Sequence, residues 1–138
     1  MNEALLRKRF PNETDLVPET QASIAERLQL VHYDQGQQYT PHHDFMIPNL
    51  EEGQASRFAT ILLYLNEPES GGETSFPQWL NGKDRQILEV TPEIGKAVLF
   101  YNQLPDGNYD VRSLHAAKPV MRGEKWLTNF WIWDPTYK

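Results

Sequence analysis

At 138 residues the chain is long enough to bury one hydrophobic core and too short to divide into two domains. Its formal net charge of −6, with no basic cluster beyond Arg7-Lys8-Arg9, argues against a nucleic-acid partner. The lack of cysteine excludes a disulfide framework, a zinc ribbon, an iron–sulfur cluster and thiol catalysis, and leaves the redox setting open.

Residues 1–10 carry Ala4, Leu5 and Leu6 among charges and are expected to form a short helix, followed by a polar connector at 11–18. Ile24 and Leu28 stand at helical spacing and predict a second helix over 21–28. From there the texture becomes that of strands. Residues 28–33 and 38–45 read as two, separated by the turn chemistry of Asp34-Gln35-Gly36, and 48–56 is a loop. The clearest strand is 57–65. Phe58, Thr60, Leu62 and Tyr64 share one face and Ala59, Ile61, Leu63 and Leu65 the other, so burial between two layers is expected. The apolar run 59–65 is also the longest, far short of a membrane span. With charges where a signal peptide needs an apolar stretch, it predicts a soluble protein without a membrane partner, and a cytoplasmic setting is favoured.

Residues 66–72 turn the chain, 73–76 start a short strand, and 79–85 is a polar loop. Further strands are expected at 87–90, 97–101, 112–115, 118–121 and 125–133, with breaks at Gly95, Gly107 and Gly123. Many short strands imply a mainly β sandwich or barrel, a double-sheet jelly roll being the natural candidate. The division is a helical and connector segment over 1–27 and one domain over 28–138.

Chemistry concentrates in Tyr39-Thr-Pro-His-His-Asp-Phe45, read with His115 and Lys125. On an extended strand His42 and Asp44 project to one side and His43 to the other. Two histidines and a carboxylate from distant strands can occupy one face of a metal and leave the other face open, the arrangement of non-haem Fe(II) oxygenases. An HxD tripeptide alone arises often by chance, and a lone lysine is usually a solvated one. His32 and His43 read as structural or solvent-facing.

Several stretches, in order, resemble the prolyl 4-hydroxylase branch of the 2-oxoglutarate- and Fe(II)-dependent dioxygenases. They include Leu28-Gln-Leu-Val-His-Tyr33, His42-His-Asp44, Arg57-Phe-Ala-Thr60, Tyr64-Leu65, Gly71-Gly-Glu-Thr74, Gly95-Lys-Ala-Val-Leu-Phe100, Ser113-Leu-His-Ala116, Gly123-Glu-Lys-Trp126 and Trp131-Ile132. The resemblance implies a double-stranded β-helix with His42, Asp44 and His115 on Fe(II). It puts Lys125, with Tyr33 and Tyr64 nearby, at the far carboxylate of 2-oxoglutarate, and Arg57, Trp131 and Tyr39 at the substrate pocket. The implied reaction hydroxylates an unactivated C–H, most naturally of proline in a peptide or protein. It uses O2 at the iron with no separate acid or base, ascorbate as reductant, and succinate and CO2 as co-products. Two positions depart from the family pattern: Trp133, where many relatives carry a basic or polar side chain, and Lys118, where many carry cysteine.

Physically, an anionic carboxylate carried into a partly closed barrel is costly unless a cation meets it, and Lys125 supplies one. Lys125 shares a strand face with Leu127, Asn129 and Trp131, so if Trp131 points into the barrel, Lys125 does too. The same ligand set also describes catalytic zinc, so a zinc hydrolase is one alternative, although no motif supplies its general base. A non-catalytic jelly-roll binding module is another, and a dioxygenase acting on a free amino acid or other small molecule a third.

Overall fold

The computed structural model describes residues 24–45, 56–80 and 86–134. The expected helix at 1–10, the connector at 11–18 and most of the loops at 48–56 and 79–85 lie outside the described residues.

The strands are β1 (Gln29–Tyr33), β2 (Tyr39–His42), β3 (Arg57–Tyr64), β4 (Ser70–Gly71), β5 (Thr74–Leu80), β6 (Ile87–Val90), β7 (Ala97–Tyr101), β8 (His115–Ala117), β9 (Val120–Arg122) and β10 (Lys125–Trp133). One four-stranded sheet has the order β1-β10-β3-β7 and the other β2-β8-β5-β6, with a small β4-β9 ribbon, all antiparallel. The chain passes back and forth between the two sheets, which makes the fold a double-stranded β-helix. That passage sets β2 beside β8, although about 70 residues of sequence separate them.

Period-two alternation builds the interior. On β3, Thr60, Leu62 and Tyr64 are buried, and on β10 so are Lys125, Leu127 and Trp131. Leu62, Tyr64 and Leu127 pack with Val31, Tyr33, Val98 and Phe100 between the sheets. Each such aliphatic side chain contributes about 1.5–3 kcal/mol on burial. A second cluster, Ala25, Ala59 and Ile132, lies on the opposite face of the first sheet.

Four expectations need correction. The described part of the 21–28 segment is extended, not helical: Ala25 bridges Ile132, the Glu26 N–H donates to the Trp131 carbonyl at 2.9 Å, and the Trp133 N–H donates to the Ile24 carbonyl at 3.0 Å. The end of β10 offers these residues backbone partners, and Leu28, 64% exposed, has no apolar surface to complete a helical stripe. The strand 57–65 is buried on one face only along its length; Ala59 is covered by Ala25, whereas Leu63 and Leu65 are 36% and 38% exposed. In place of a strand at 112–115, Val111–Ser113 is a 3₁₀ turn, because the Asp110 carboxylate accepts the Arg112 N–H at 2.9 Å and caps it. Trp79, expected in a loop, belongs to β5.

Gly71 and Gly72 take φ of +77° and +75° at the β4–β5 turn. A Cβ on Gly71 would stand 2.4 Å from the Pro119 carbonyl oxygen, so glycine is required there for space as well as conformation. No helix among the described residues is long and apolar enough to cross a membrane.

Candidate metal and dicarboxylate site

His42 closes β2, His115 opens β8, and the two are register partners across the ladder. Their ring centroids are 4.3 Å apart. Asp44 lies two residues beyond the end of β2, and its carboxylate reaches the same point. His42 Nε2 is 3.6 Å from Asp44 Oδ1, and His115 Nε2 is 3.7 Å from Asp44 Oδ2. Ligand atoms of the three side chains all lie within 4.8 Å of one another.

Both imidazoles are oriented by the same local device. His42 Nδ1 donates to the Thr40 carbonyl at 2.8 Å and His115 Nδ1 to the Ser113 carbonyl at 2.9 Å, each two residues upstream. A carbonyl only accepts, so Nδ1 carries the proton and each Nε2 lone pair faces the Asp44 carboxylate. Burial pushes the His115 pKa down, with Asp44 opposing, which favours the neutral ring that a metal requires. Asp44 Oδ2 accepts from Thr60 Oγ1 at 2.8 Å and from Trp131 Nε1 at 2.9 Å. Two neutral imidazoles and one carboxylate, converging on one side of a cavity, are a donor set that suits Fe(II).

The cavity holds about 650 Å3 and runs from these residues to Lys125. Lys125 is fully buried, and its ammonium donates to the Gly72 carbonyl at 2.6 Å. Among the described residues no carboxylate lies within 4.0 Å of it. Nζ stands 5.5 and 5.4 Å from the ring centroids of Tyr33 and Tyr64. Burial lowers its pKa to about 8, against a smaller opposing effect of Glu73. A buried ammonium with one carbonyl partner has donors to spare, and an anionic ligand would satisfy them.

The remaining expected site residues divide. Tyr33, Tyr39, Arg57 and Trp131 all line the cavity. Tyr39 packs edge-on against His42 at 4.1 Å. Arg57 does not reach freely into the cavity: it forms a bidentate pair with Glu26, at 2.6 and 3.1 Å, and its guanidinium carbon lies 3.7 Å from the Trp131 ring centroid. Tyr64 is fully buried behind the cavity wall, and its hydroxyl donates to Thr74 Oγ1 at 2.6 Å; Thr74 is the residue that lines the cavity there. His43, expected to face away, also lines the cavity, with Nε2 3.0 Å from the Val111 carbonyl. His32 stacks on Trp126 at 4.0 Å and pairs with Glu124. Lys118 pairs with Glu89 at 3.1 Å on the surface.

Sequence reasoning did not find Thr60, Thr74 and Glu26. Thr60 could have been found as the polar residue on the inward face of an otherwise apolar β3; nothing local marks Glu26.

The family model of the 2OG-Fe(II) oxygenase superfamily matches residues 28–133. The chain is 38% identical over 144 residues to probable prolyl 4-hydroxylase 7 of Arabidopsis thaliana, covering 87% of this chain and 45% of that protein. It is 39% identical over 131 residues to probable prolyl 4-hydroxylase 3 of the same plant, covering 85% and 45%. The chain therefore spans about half the length of the curated relatives it matches. Among solved structures, the viral collagen prolyl hydroxylase of Paramecium Bursaria Chlorella virus-1, in its 2OG complex, superimposes with a TM-score of 0.67 at 28% identity. The superposition covers 94% of this chain and 69% of that one.

Proposed function

The chain belongs to the 2OG-Fe(II) oxygenase superfamily, and from that premise we propose that it is a dioxygenase that hydroxylates peptidyl proline, with 2-oxoglutarate and O2 as co-substrates. The observation that carries the proposal is the buried Lys125 ammonium, without a carboxylate partner among the described residues, in the same cavity as the His42, Asp44 and His115 side chains. A zinc hydrolase would leave that ammonium without a task.

In this reading His42 Nε2, His115 Nε2 and Asp44 Oδ1 hold Fe(II), and Lys125 binds the far carboxylate of 2-oxoglutarate. When bound, the iron supplies the oxidising chemistry that couples decarboxylation of 2-oxoglutarate to insertion of one oxygen into a C–H bond. The protein supplies orientation. The Thr40 and Ser113 carbonyls fix the imidazole tautomers, and the side chains between the sheets keep water from the ammonium. Thr74 and Tyr33 border the dicarboxylate end. Tyr39, Arg57 and Trp131 border the metal end, where a peptide would enter. Proline as substrate draws its support from the relatives named prolyl 4-hydroxylases, and ascorbate as reductant is part of the same proposal.

The test is succinate release over a panel of proline-containing peptides and free amino acids, with mass spectrometry for a gain of one oxygen. Turnover is expected only with Fe(II), O2 and 2-oxoglutarate together, to fall when ascorbate is omitted, and to vanish in His42→Ala. Undiminished turnover without O2 would overturn the reading.

A further inference from the structure

Asp44 carries a load that the metal triad alone does not explain. Its Oδ2 accepts from both Thr60 and Trp131, and behind Thr60 stands Asn102, fully buried, just past the end of β7. Asn102 Nδ2 is 3.0 Å from Thr60 Oγ1. The direction of this chain follows from donor counting. An ionised carboxylate only accepts, so the single Thr60 hydroxyl proton goes to Asp44, and Asn102 must present its NH2 group, not its carbonyl, to Thr60. The amide's other end, Asn102 Oδ1, is buried and has no hydrogen-bond partner among the described residues. Reversing the amide would place its carbonyl against the Thr60 oxygen and draw the hydroxyl proton off Asp44. The backbone fixes Asn102 independently, its N–H donating to the Phe58 carbonyl at 2.8 Å and its carbonyl accepting the Asp110 N–H at 3.0 Å.

We propose that Asn102 is a positioning residue for the metal centre, which sets the polarity of an Asn102→Thr60→Asp44 hydrogen-bond relay. With Oδ2 occupied by two donors, Oδ1 keeps both lone pairs for the cation, so the carboxylate is presented through one oxygen and in one orientation. The inference rests on the metal site proposed above. Thr60 touches the proposed ligand Asp44 directly, and removing such a partner typically changes metal affinity about 10- to 100-fold; Asn102 acts through Thr60.

The experiment is titration of the metal-free protein with Co(II), alongside its thermal unfolding without metal, for wild type, Asn102→Leu, Thr60→Val, Thr60→Ser and the Asn102→Leu/Thr60→Val double variant. Thr60→Val should weaken Co(II) about tenfold or more, Asn102→Leu should weaken it by no more than Thr60→Val does, and Thr60→Ser, which keeps the hydroxyl, should stay near wild type. In the Thr60→Val background Asn102→Leu should add nothing, because the relay is already cut. Additive losses of affinity, or an unchanged affinity in folded Asn102→Leu, would overturn the proposal. If Asn102→Leu does not fold, Asn102→Ala takes its place: a loss of Co(II) affinity that is absent in the Thr60→Val background supports the proposal, and an unchanged affinity overturns it. Failure of the wild type to bind Co(II) would instead remove the metal site itself.

Discussion

The Trp131 indole donates its Nε1–H to Asp44 Oδ2 at 2.9 Å, joining a residue of β10 to a carboxylate just beyond β2. The ring is held in turn by Arg57 stacked on its face, and Arg57 by Glu26. The cavity wall formed by Arg57 and Trp131 and the Asp44 carboxylate are therefore one mechanical unit. A side chain that lines the cavity thus also holds Asp44.

Trp131→Phe keeps an aromatic face for Arg57 and removes only the donor. A hydrogen bond to a charged acceptor is worth about 1.5–3 kcal/mol. Co(II) affinity should fall roughly tenfold or more while the melting temperature of the metal-free protein changes little. An affinity equal to wild type would show that the indole N–H does not hold the carboxylate.

Lys125→Met replaces a buried charge by a side chain of similar length. The metal-free protein should be as stable as wild type or more so, since exchanging buried charge for apolar bulk is often neutral or stabilising. Affinity for 2-oxoglutarate, measured by calorimetry with Co(II) present, should fall by about 2–5 kcal/mol, which is roughly 30-fold or more. Unchanged affinity would remove Lys125 from the dicarboxylate site.

The pH dependence has a definite sign. Burial lowers the Lys125 pKa from 10.5 to about 8, so folding the ammonium into the barrel carries a penalty that is full below about pH 8 and gone above 10.5. An anion prefers the protonated form and raises that pKa. Affinity for 2-oxoglutarate should therefore be flat below about pH 8 and weaken by up to about tenfold per pH unit above it. The same titration on Lys125→Met should show no such break.

Gly71→Ala and Gly36→Ala separate space from conformation. Both residues have positive φ, but a Cβ at Gly36 meets nothing within 4 Å, whereas at Gly71 it meets the Pro119 carbonyl oxygen at 2.4 Å. Gly36→Ala should cost about 1–2 kcal/mol for the left-handed backbone alone, and Gly71→Ala clearly more. Equal melting temperatures for the two variants would contradict the close approach of β4 to the segment before β9.

Much of the fold was legible because strand periodicity is local. The bounds at 87–90, 97–101 and 125–133 are those of β6, β7 and β10, and the inward face of Lys125, Leu127 and Trp131 follows from alternation. The turn at Val111–Ser113 was misread because the Asp110 cap competes with extended pairing over a stretch too short for periodicity to show. The exposure of Leu63 was misread because composition reports what a strand could bury, not what covers it.

By itself the sequence determined which side chains are able to ligate a metal or pair with an anion, their order along the chain, and which share a face, since those depend on residue type and a two-residue repeat. Only the tertiary structure decided that His42 stands opposite His115, that Arg57 is taken by Glu26, that Tyr64 lies behind Thr74, and that Asn102 backs Thr60. Each of these joins residues brought together by strands that exchange sheets or by a turn, and the energy of such a contact resides in a distance that no local spacing encodes.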